Sequence, residues 1–310
     1  MPPKITPPRI AIPMPHSTDR EYAARSIPQY EHAIQQAGGE PVRIPLDQPP
    51  AQVVQIIESC DGVLLPGSKA DVDPAEFGAQ RSPHTAAADQ PRHAVDQLLL
   101  ENAYRLRKPV LGICYGLQSL NVYRAGSLIQ HIPDLLPESL RTKVNHEAGR
   151  TIAVAHNVEI EGDSRLAEIL NRLGKKIENG IQTNDETDRS KDGSKDHSKD
   201  GSKDESKGRE GHGFSRANTA AEKNGALAPE ASNRMLAVNS SHHQSAGTIG
   251  DGLRIAARCP DDGIIEALEG TAPDHFVFAV QWHPERSVDD DEASLALFRA
   301  LICAAQTRQR

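Results

Sequence analysis

Short apolar runs alternate with amphipathic stretches along the first part of the chain. The runs have the length of buried strands, whereas the longer stretches place apolar residues at helical spacing. The predicted elements are a strand near Arg9 to Ile12, a helix from Ile27 to Ala37, a strand at Glu40 to Ile44, a helix about Ala51 to Glu58 and a strand at Gly62 to Leu65. This βαβα order predicts an α/β fold with a largely parallel sheet and helices on both faces.

Four later apolar segments are also predicted as strands, and we interpret them as a small β-rich lobe beside the main sheet. They are Thr151 to Ala155, Leu236 to Asn239, Leu253 to Arg258 and Ile264 to Leu268. Aromatic residues make up only 4% of the chain, so the core should be mainly aliphatic. The length of 310 residues predicts a single domain spanning residues 1–310.

One cysteine lies between two glycines where an apolar strand turns into a helix, in KPVLGICYGLQSLNVYRAG from Lys108 to Gly126. Gly112 and Gly116 have no Cβ atom, so the chain can bend sharply at Cys114 and the helix can pack close to the sheet. This is the geometry of a nucleophile elbow with sulfur in place of oxygen. The helix N-terminus would favour the thiolate. A buried cysteine in a tight βα turn is the alternative interpretation.

A second segment, FVFAVQWHPE from Phe276 to Glu285, is an apolar strand that ends in a histidine, a proline and a glutamate. His283 could take the thiol proton and pass it to a leaving amine, while Glu285 could hold the imidazole in one tautomer. Such an ending is also typical of a solvated turn. Its functional interpretation therefore depends on the elbow.

A third segment, DGVLLPGSKADVDP from Asp61 to Pro74, predicts a strand that runs into a glycine turn. Enzymes with an elbow hold the oxyanion with two backbone N–H groups. One follows the nucleophile, here Tyr115, and the other comes from a neighbouring strand-to-helix loop, for which Gly67 and Ser68 are the candidates. An ordinary βα loop is the alternative.

The chain resembles class I glutamine amidotransferases in the order of its motifs, which are PGSxxDVxP, GICYG followed by LQSLN, VNSSHHQ at Val238 to Gln244, and QWHPE. It is more narrowly similar to the branch that contains γ-glutamyl-γ-aminobutyrate hydrolases, through DQPRHAVDQLLLENAYRLRKPVLGICYGLQSLN, VNSSHHQ and LRIAARCPDDGIIEALE. The resemblance covers about residues 5–182 and 234–305. It implies a flavodoxin-like fold and a cysteine-dependent hydrolase of γ-glutamyl amide bonds.

The resemblance also implies roles for individual residues. Cys114 would be the nucleophile, His283 the general base and then acid, and Glu285 the residue that orients His283. The backbone N–H groups of Ser68 and Tyr115 would hold the oxyanion. The implied substrate-binding residues are Gly67, Gln118, Ser241, His242 and His243. The two adjacent histidines could equally be surface residues or an adventitious metal site, but the chain lacks zinc-ligand spacing, and no metal is predicted.

Two positions depart from the narrower family. Its members often carry an arginine directly after the nucleophile, where this chain has Tyr115. They also often carry an R-D-x-x-E pattern upstream, where this chain has Arg92-His93-Ala94-Val95-Asp96. Both positions are expected at the pocket rim or where the leaving amine is recognised. They therefore bear on the γ-aminobutyrate assignment rather than on the hydrolase assignment.

The implied reaction passes through a γ-glutamyl thioester and releases glutamate and an amine. The thiol, the imidazole and two backbone amides supply every group that this chemistry needs, so no cofactor is predicted. Two other functions stay open. One is a glutaminase subunit that supplies ammonia to a separate synthetase, and the other is a non-enzymatic protein that binds a γ-glutamyl metabolite.

Charge and cysteine usage exclude several classes of protein. The net charge is −8, with no basic cluster free of acidic neighbours, which argues against a nucleic-acid surface. No apolar run approaches membrane-spanning length. The cysteines show no paired spacing and the start MPPKITPPRIAIPMP has no apolar signal core, so a reduced cytoplasmic protein is predicted. The expected partners are a small γ-glutamyl substrate and, in a homodimer, a second copy of the chain. The four cysteines are Cys60, Cys114, Cys259 and Cys303.

Residues 183–233 form a different kind of sequence, with SKDGSKDHSKDGSKDE from Ser190 to Glu205. Balanced Lys and Asp with Ser and Gly between them, and almost no large apolar residue, predict a disordered low-complexity insertion. A transient charged helix is disfavoured by Gly193 and Gly201. A tolerated surface insertion is the favoured interpretation, and a lid or partner-binding segment is the alternative.

Overall fold

The computed structural model describes residues 6–173 and 234–308, which belong to one compact unit. Within these residues the strands are β1 (Arg9–Pro13), β2 (Glu40–Ile44), β3 (Gly62–Leu65), β4 (Val110–Ile113), β5 (Leu128–Ile129), β6 (His156–Ile160), β7 (Arg234–Val238), β8 (Ser245–Ala246), β9 (Leu253–Arg258), β10 (Ile265–Gly270) and β11 (Val277–Val280). The helices are α1 (Arg20–Gln36), α2 (Pro50–Glu58), α3 (Gln90–Leu106), α4 (Tyr115–Tyr123), α5 (Ile132–Leu135), α6 (Glu138–Arg141), α7 (residues 165–173) and α8 (Glu292–Arg308).

Nine of these strands form one sheet, in the order β2-β1-β3-β4-β11-β10-β9-β6-β7. The pairs from β2 to β11 are parallel. From β11 onward every pair is antiparallel. Because parallel strands end at the same edge of a sheet, the carboxyl ends of β3, β4 and β11 lie side by side. The candidate chemistry follows these three strands.

Two helical layers cover the sheet, and the alternation of side chains along each strand explains why. On β3, Leu64 packs in one core with α1 and α8, whereas Val63 and Leu65 pack in a second core with α2, α3 and α4. Strand β4 repeats the division, with Leu111 in the first core and Val110 in the second. Both faces of the central strands are therefore buried, as their continuous apolar sequence predicted.

The parallel half agrees with the sequence prediction in detail. Strands Glu40–Ile44 and Gly62–Leu65 are confirmed with their predicted bounds. Helix α1 begins at Arg20, earlier than predicted, because the Asp19 carboxylate caps it by accepting a hydrogen bond from the Tyr22 N–H at 2.9 Å. Within the two described ranges, no helix has both the length and the apolar composition needed to cross a membrane.

The strands predicted for a separate β-rich lobe instead extend the main sheet. The pairing of β10 with β11, Ala267 opposite Val280, joins the two halves. The strand predicted at Thr151 to Ala155 is wrong, because Ile152 and Val154 are 44% and 59% exposed and β6 begins at His156. The predicted disordered insertion at residues 183–233 lies outside the described residues.

Candidate active site

The residues predicted for chemistry meet at the carboxyl ends of β3, β4 and β11. A cavity of about 240 Å³ opens there. It is lined by Ser68, Cys114, Gln118, Ser241, His242, His243 and His283 from the predicted set, and also by Tyr22, Arg25, Lys69, Ala70, Asp71, Arg150, Gln244 and Arg286. The fold therefore gathers segments that are more than 200 residues apart in the chain.

Cys114 occupies a sharp elbow between β4 and α4. Its φ of 54° and ψ of −106° lie in a region that is strained for a residue with a Cβ atom. The backbone compensates, because the Cys114 N–H donates to the Val280 carbonyl at 2.8 Å. Gly112 and Gly116 make the turn possible, since a Cβ on Gly112 would lie only 2.9 Å from the Gly116 backbone.

We expect Gly116→Ala to lower the free energy of unfolding by at least about 3 kcal/mol. A Cβ at this position would overlap the Leu65 carbonyl group, and backbone cannot move aside as a flexible side chain does. The matched control is Gly263→Ala, where no atom lies within 4 Å and only the φ of +76° is strained, at about 1 kcal/mol. Urea unfolding measures both, and equal losses would contradict the packing argument.

His283 follows β11 directly and is paired with Glu285. Its Nδ1 lies 2.8 Å from Glu285 Oε1, and both side chains are buried. Because a carboxylate accepts, Nδ1 carries the hydrogen and Nε2 is left as the base. The Cβ position built on Gly67 lies 3.0 Å from Cε1 of His283 and 3.7 Å from Cβ of Cys114. The imidazole and the thiol thus approach the same place, which Gly67 leaves open.

Asn239 holds the His283 backbone at two points. Its Oδ1 accepts from the His283 N–H and its Nδ2 donates to the His283 carbonyl, both at 2.9 Å. Sequence analysis missed this residue, although it lies in the VNSSHHQ motif. The sequence did contain a signal for a role of Asn239, because this residue has a short amide side chain and lies at the end of a predicted strand. Asn239 is a positioning residue, since it fixes His283 through the main chain.

Burial favours the neutral forms of both the Cys114 thiol and the His283 imidazole. Burial raises the pKa of Cys114 to about 12, although Arg286 and the backbone N–H of Tyr115 favour the thiolate. Burial likewise lowers the pKa of His283, against the opposite influence of Glu285. The Tyr115 N–H at the helix N-terminus favours the thiolate, as expected, but desolvation is the larger influence and raises the pKa of Cys114 overall.

We expect the acid limb of kcat/KM for a reaction that uses His283 as general base to lie below pH 6.5, the ordinary pKa of histidine. The base must be neutral imidazole, and the lowered pKa of His283 keeps the ring neutral as the pH falls through 6.5. A kcat/KM profile between about pH 5 and pH 8 measures the limb. An acid limb at or above pH 6.5 would contradict this assignment.

The loop after β3 has one N–H group already occupied. The Gly67 N–H donates to the Tyr30 hydroxyl at 3.0 Å, so it is not free to hold an oxyanion. The Ser68 hydroxyl accepts from the Ala70 N–H at 3.1 Å, which turns that side chain back on its own loop. The backbone N–H of Ser68 therefore remains the candidate donor of this loop. Tyr30 lies on α1, and none of the sequence motifs indicated that it contacts this loop.

The two departures from the family pattern lie together beneath the site. The Arg92 guanidinium lies over the Tyr115 ring at 4.9 Å and donates to Asp96 Oδ1 at 2.7 Å. It also donates to the Pro66 carbonyl at 2.7 Å, directly before the Gly67 turn. All three side chains are buried and none lines the cavity. Tyr115 and Asp96 therefore do not lie at the rim of this cavity as expected, and together with Arg92 they support the loop instead.

Positive charge predominates around the cavity. Among the described residues, four cationic side chains line it, Arg25, Lys69, Arg150 and Arg286, with the carboxylate of Asp71. Two of the four already face a carboxylate, since Lys69 Nζ lies 2.7 Å from Asp19 Oδ2 and Arg286 Nε lies 3.6 Å from Glu285 Oε1. His243 pairs with Asp71, which raises the pKa of that histidine. Arg286 is 11% exposed, and its Nε and Nη1 atoms find no hydrogen-bond partner among the described residues. The cavity is therefore suited to an anionic ligand.

Comparison with known proteins places the chain in a family. The peptidase C26 model matches residues 10–185 and 188–285. A protein of Rickettsia prowazekii named as glutamine amidotransferase-like is 30% identical over 293 residues, covering 92% of this chain and 90% of its own. A protein of Mycobacterium tuberculosis named as a glutamine amidotransferase is 32% identical over 278 residues, with coverages of 89% and 66%. The γ-glutamyl-γ-aminobutyrate hydrolase of Escherichia coli is 28% identical over 304 residues, with coverages of 96% and 94%. The chain therefore belongs to the peptidase C26 family of class I glutamine amidotransferase-like enzymes, which act on amide bonds.

Proposed function

We propose that the protein hydrolyses γ-glutamyl amides through a γ-glutamyl thioester on Cys114, releasing glutamate and an amine. The observation that supports this most directly is the arrangement at the cavity. A buried imidazole, oriented by Glu285 at 2.8 Å, lies beside a thiol on a strained elbow. The family relation supports amide chemistry, and the E. coli relative is named for a γ-glutamyl substrate.

The neutral forms of the pair, which burial favours, determine the order of proton transfers. His283 Nε2 takes the proton from Cys114 Sγ as the sulfur attacks the γ-carbonyl carbon. The oxyanion then lies between the backbone N–H groups of Ser68 and Tyr115. His283 gives its proton to the leaving nitrogen as the C–N bond breaks. Water attacks the thioester with His283 as base, and the sulfur leaves as the thiol.

The charge of the cavity supports a substrate with more than one carboxylate. Glutamine carries only its α-carboxylate, whereas γ-glutamyl-γ-aminobutyrate carries a second carboxylate on the leaving group. Lys69 and Arg286 already lie near Asp19 and Glu285, whereas Arg25 and Arg150 line the cavity without an ion pair among the described residues. Two available guanidinium groups match two carboxylates better than one. We therefore propose a leaving amine that carries a carboxylate, with Arg25 and Arg150 as candidate contacts.

We expect Arg25→Gln to raise KM for γ-glutamyl-γ-aminobutyrate about tenfold, the value of one charged hydrogen bond. The KM for glutamine should change much less, because glutamine lacks the second carboxylate. Arg20→Gln is the matched control, since Arg20 lies on the same helix and lines a different cavity. Equal changes for the two substrates, or an equal effect of Arg20→Gln, would remove Arg25 from substrate recognition.

The test of the function is amine release from a panel of γ-glutamyl amides that includes glutamine, γ-glutamyl-γ-aminobutyrate and γ-glutamyl derivatives of uncharged amines. Turnover of substituted amides above glutamine is the expected result. Turnover of glutamine alone would favour a glutaminase subunit that supplies a separate synthetase. No turnover of any panel member would overturn the proposal.

A further inference from the structure

A second cluster of titratable side chains lies beside the cavity. His146, His156 and His242 surround the carboxylate of Glu266, and their side chains are 4%, 3%, 1% and 0% exposed. Glu266 lies on β10 and His156 begins β6, whereas His146 and His242 lie in loops after α6 and β7. His242 lines the candidate active-site cavity, whereas His146, His156 and Glu266 have no part in the proposed hydrolysis. Their close packing needs its own explanation.

The distances match those between ligands of a tetrahedral metal ion. Glu266 Oε1 lies 3.2 Å from His146 Nδ1, 3.0 Å from His156 Nε2 and 3.6 Å from His242 Nε2. Zinc bonds of about 2.0–2.2 Å at tetrahedral angles separate the ligand atoms by about 3.4 Å. Ligand atoms of His146, His156 and Glu266 all lie within 4.8 Å of one another.

The hydrogen bonds on the far side of two rings fix their tautomers. His242 Nδ1 lies 2.9 Å from the Gln244 carbonyl, which can only accept, so Nδ1 carries the hydrogen. His146 Nε2 lies 2.8 Å from the Asp262 carboxylate, so Nε2 carries the hydrogen of that neutral ring. In these tautomers the nitrogen that faces Glu266 can present a lone pair, and His146 Nδ1 can use that lone pair to bind a metal ion.

Charge balance points to a divalent cation. The carboxylates of Glu266 and Asp262 are both fully buried, and Glu266 Oε2 has no hydrogen-bond partner among the described residues. Buried carboxylates are costly without a compensating positive charge, and a divalent ion between Glu266 and the imidazoles of His146 and His156 would supply it. The partner Asp262 then acts as metal sites ordinarily require, by orienting the His146 imidazole from behind.

We propose that the protein binds one Zn²⁺ through His146 Nδ1, His156 Nε2 and the Glu266 carboxylate. Three protein ligands leave the fourth position of a tetrahedral site open to water. No metal was predicted from the sequence, because the proposed ligands are spread from residue 146 to residue 266 without a short spacing motif. Only the pairing of β6, β9 and β10 in one sheet brings them together.

The metal would stabilise the catalytic loop without taking part in the chemistry. His242 lines the cavity, and Asn239, three residues earlier, clamps the His283 backbone. An ion bound to Glu266 would fix the carboxylate that His242 Nε2 approaches at 3.6 Å, and would thereby steady this loop against the sheet. The proposal does not depend on the substrate of the cavity.

The test is metal content per chain in full-length protein supplied with Zn²⁺ and dialysed against metal-free buffer. We expect close to one zinc per chain in the wild type and background in His156→Gln and Glu266→Gln. Asp262→Asn should retain the ligands but weaken zinc binding roughly 10- to 100-fold. Wild-type protein loaded with Co²⁺ should show the intense visible absorption of a tetrahedral site, a readout that needs no variant.

The matched control is His131→Gln. His131 belongs to a partly exposed group with His84 and Asp134 whose ligand atoms are equally close. Its substitution should leave the zinc content unchanged, and zinc should raise the unfolding temperature of wild type and His131→Gln alike. Wild type that binds neither Zn²⁺ nor Co²⁺ would overturn the proposal. Zinc lost in His131→Gln but retained in His156→Gln would also overturn it.

Discussion

Cys114→Ala is expected to lower kcat/KM for γ-glutamyl amide hydrolysis by at least about 10⁴-fold. Without the sulfur no thioester forms, and water would have to attack the amide with help only from the two backbone N–H groups. Glutamate release measures the loss. The change removes one buried atom at a strained position, so circular dichroism and the unfolding temperature should stay close to those of wild type.

Cys303→Ala is the matched control for this experiment. Cys303 is exposed on α8 and lines a different cavity, so its substitution should leave kcat/KM unchanged. Intact mass measured during turnover of a slow substrate should show the γ-glutamyl adduct on wild type and Cys303→Ala, and none on Cys114→Ala. Retention of more than a tenth of the activity in Cys114→Ala would mean that another residue is the nucleophile.

Glu285→Gln is expected to lower kcat by about 10⁴-fold, as the loss of the orienting carboxylate does in a hydrolytic triad. An amide nitrogen at this position donates to His283 Nδ1, which reverses the tautomer and places the hydrogen on the Nε2 that must act as base. The volume is unchanged, so the effect should fall on kcat rather than on KM. Steady-state kinetics separate the two.

Glu292→Gln controls for the loss of a carboxylate elsewhere. Glu292 begins α8 and forms an exposed ion pair with Arg299, and such pairs contribute little to stability. Its kcat should equal that of wild type. A loss of only a few-fold in Glu285→Gln would show that the Asn239 clamp alone holds His283, and that Glu285 is not needed for its tautomer.

The parallel half of the fold could be predicted because local pattern and burial agree there. Strands such as Gly62–Leu65 are apolar on both faces, so any register keeps them buried. The strand predicted from Thr151 to Ala155 is wrong for the opposite reason. Its apolar residues alternate as in a strand, but they are exposed in the folded chain. Apolar composition does not determine whether a neighbouring strand is available for pairing.

The site residues that could be predicted are those that lie within a short, recognisable sequence pattern. Cys114 lies between two glycines and His283 ends an apolar strand, and both patterns are short. Asn239, Arg286 and Tyr30 act across distances that only the folded chain closes. The net pKa shift of Cys114 was missed because desolvation depends on the whole enclosure, whereas the helix dipole is local.

The raised pKa of Cys114 also bears on oxidative damage. Peroxide and other oxidants attack thiolates, and burial raises the pKa of Cys114, which disfavours that form. Cys114 is also buried, whereas Cys303 is exposed on α8. We therefore expect an oxidant to modify Cys303 before Cys114 in the free protein.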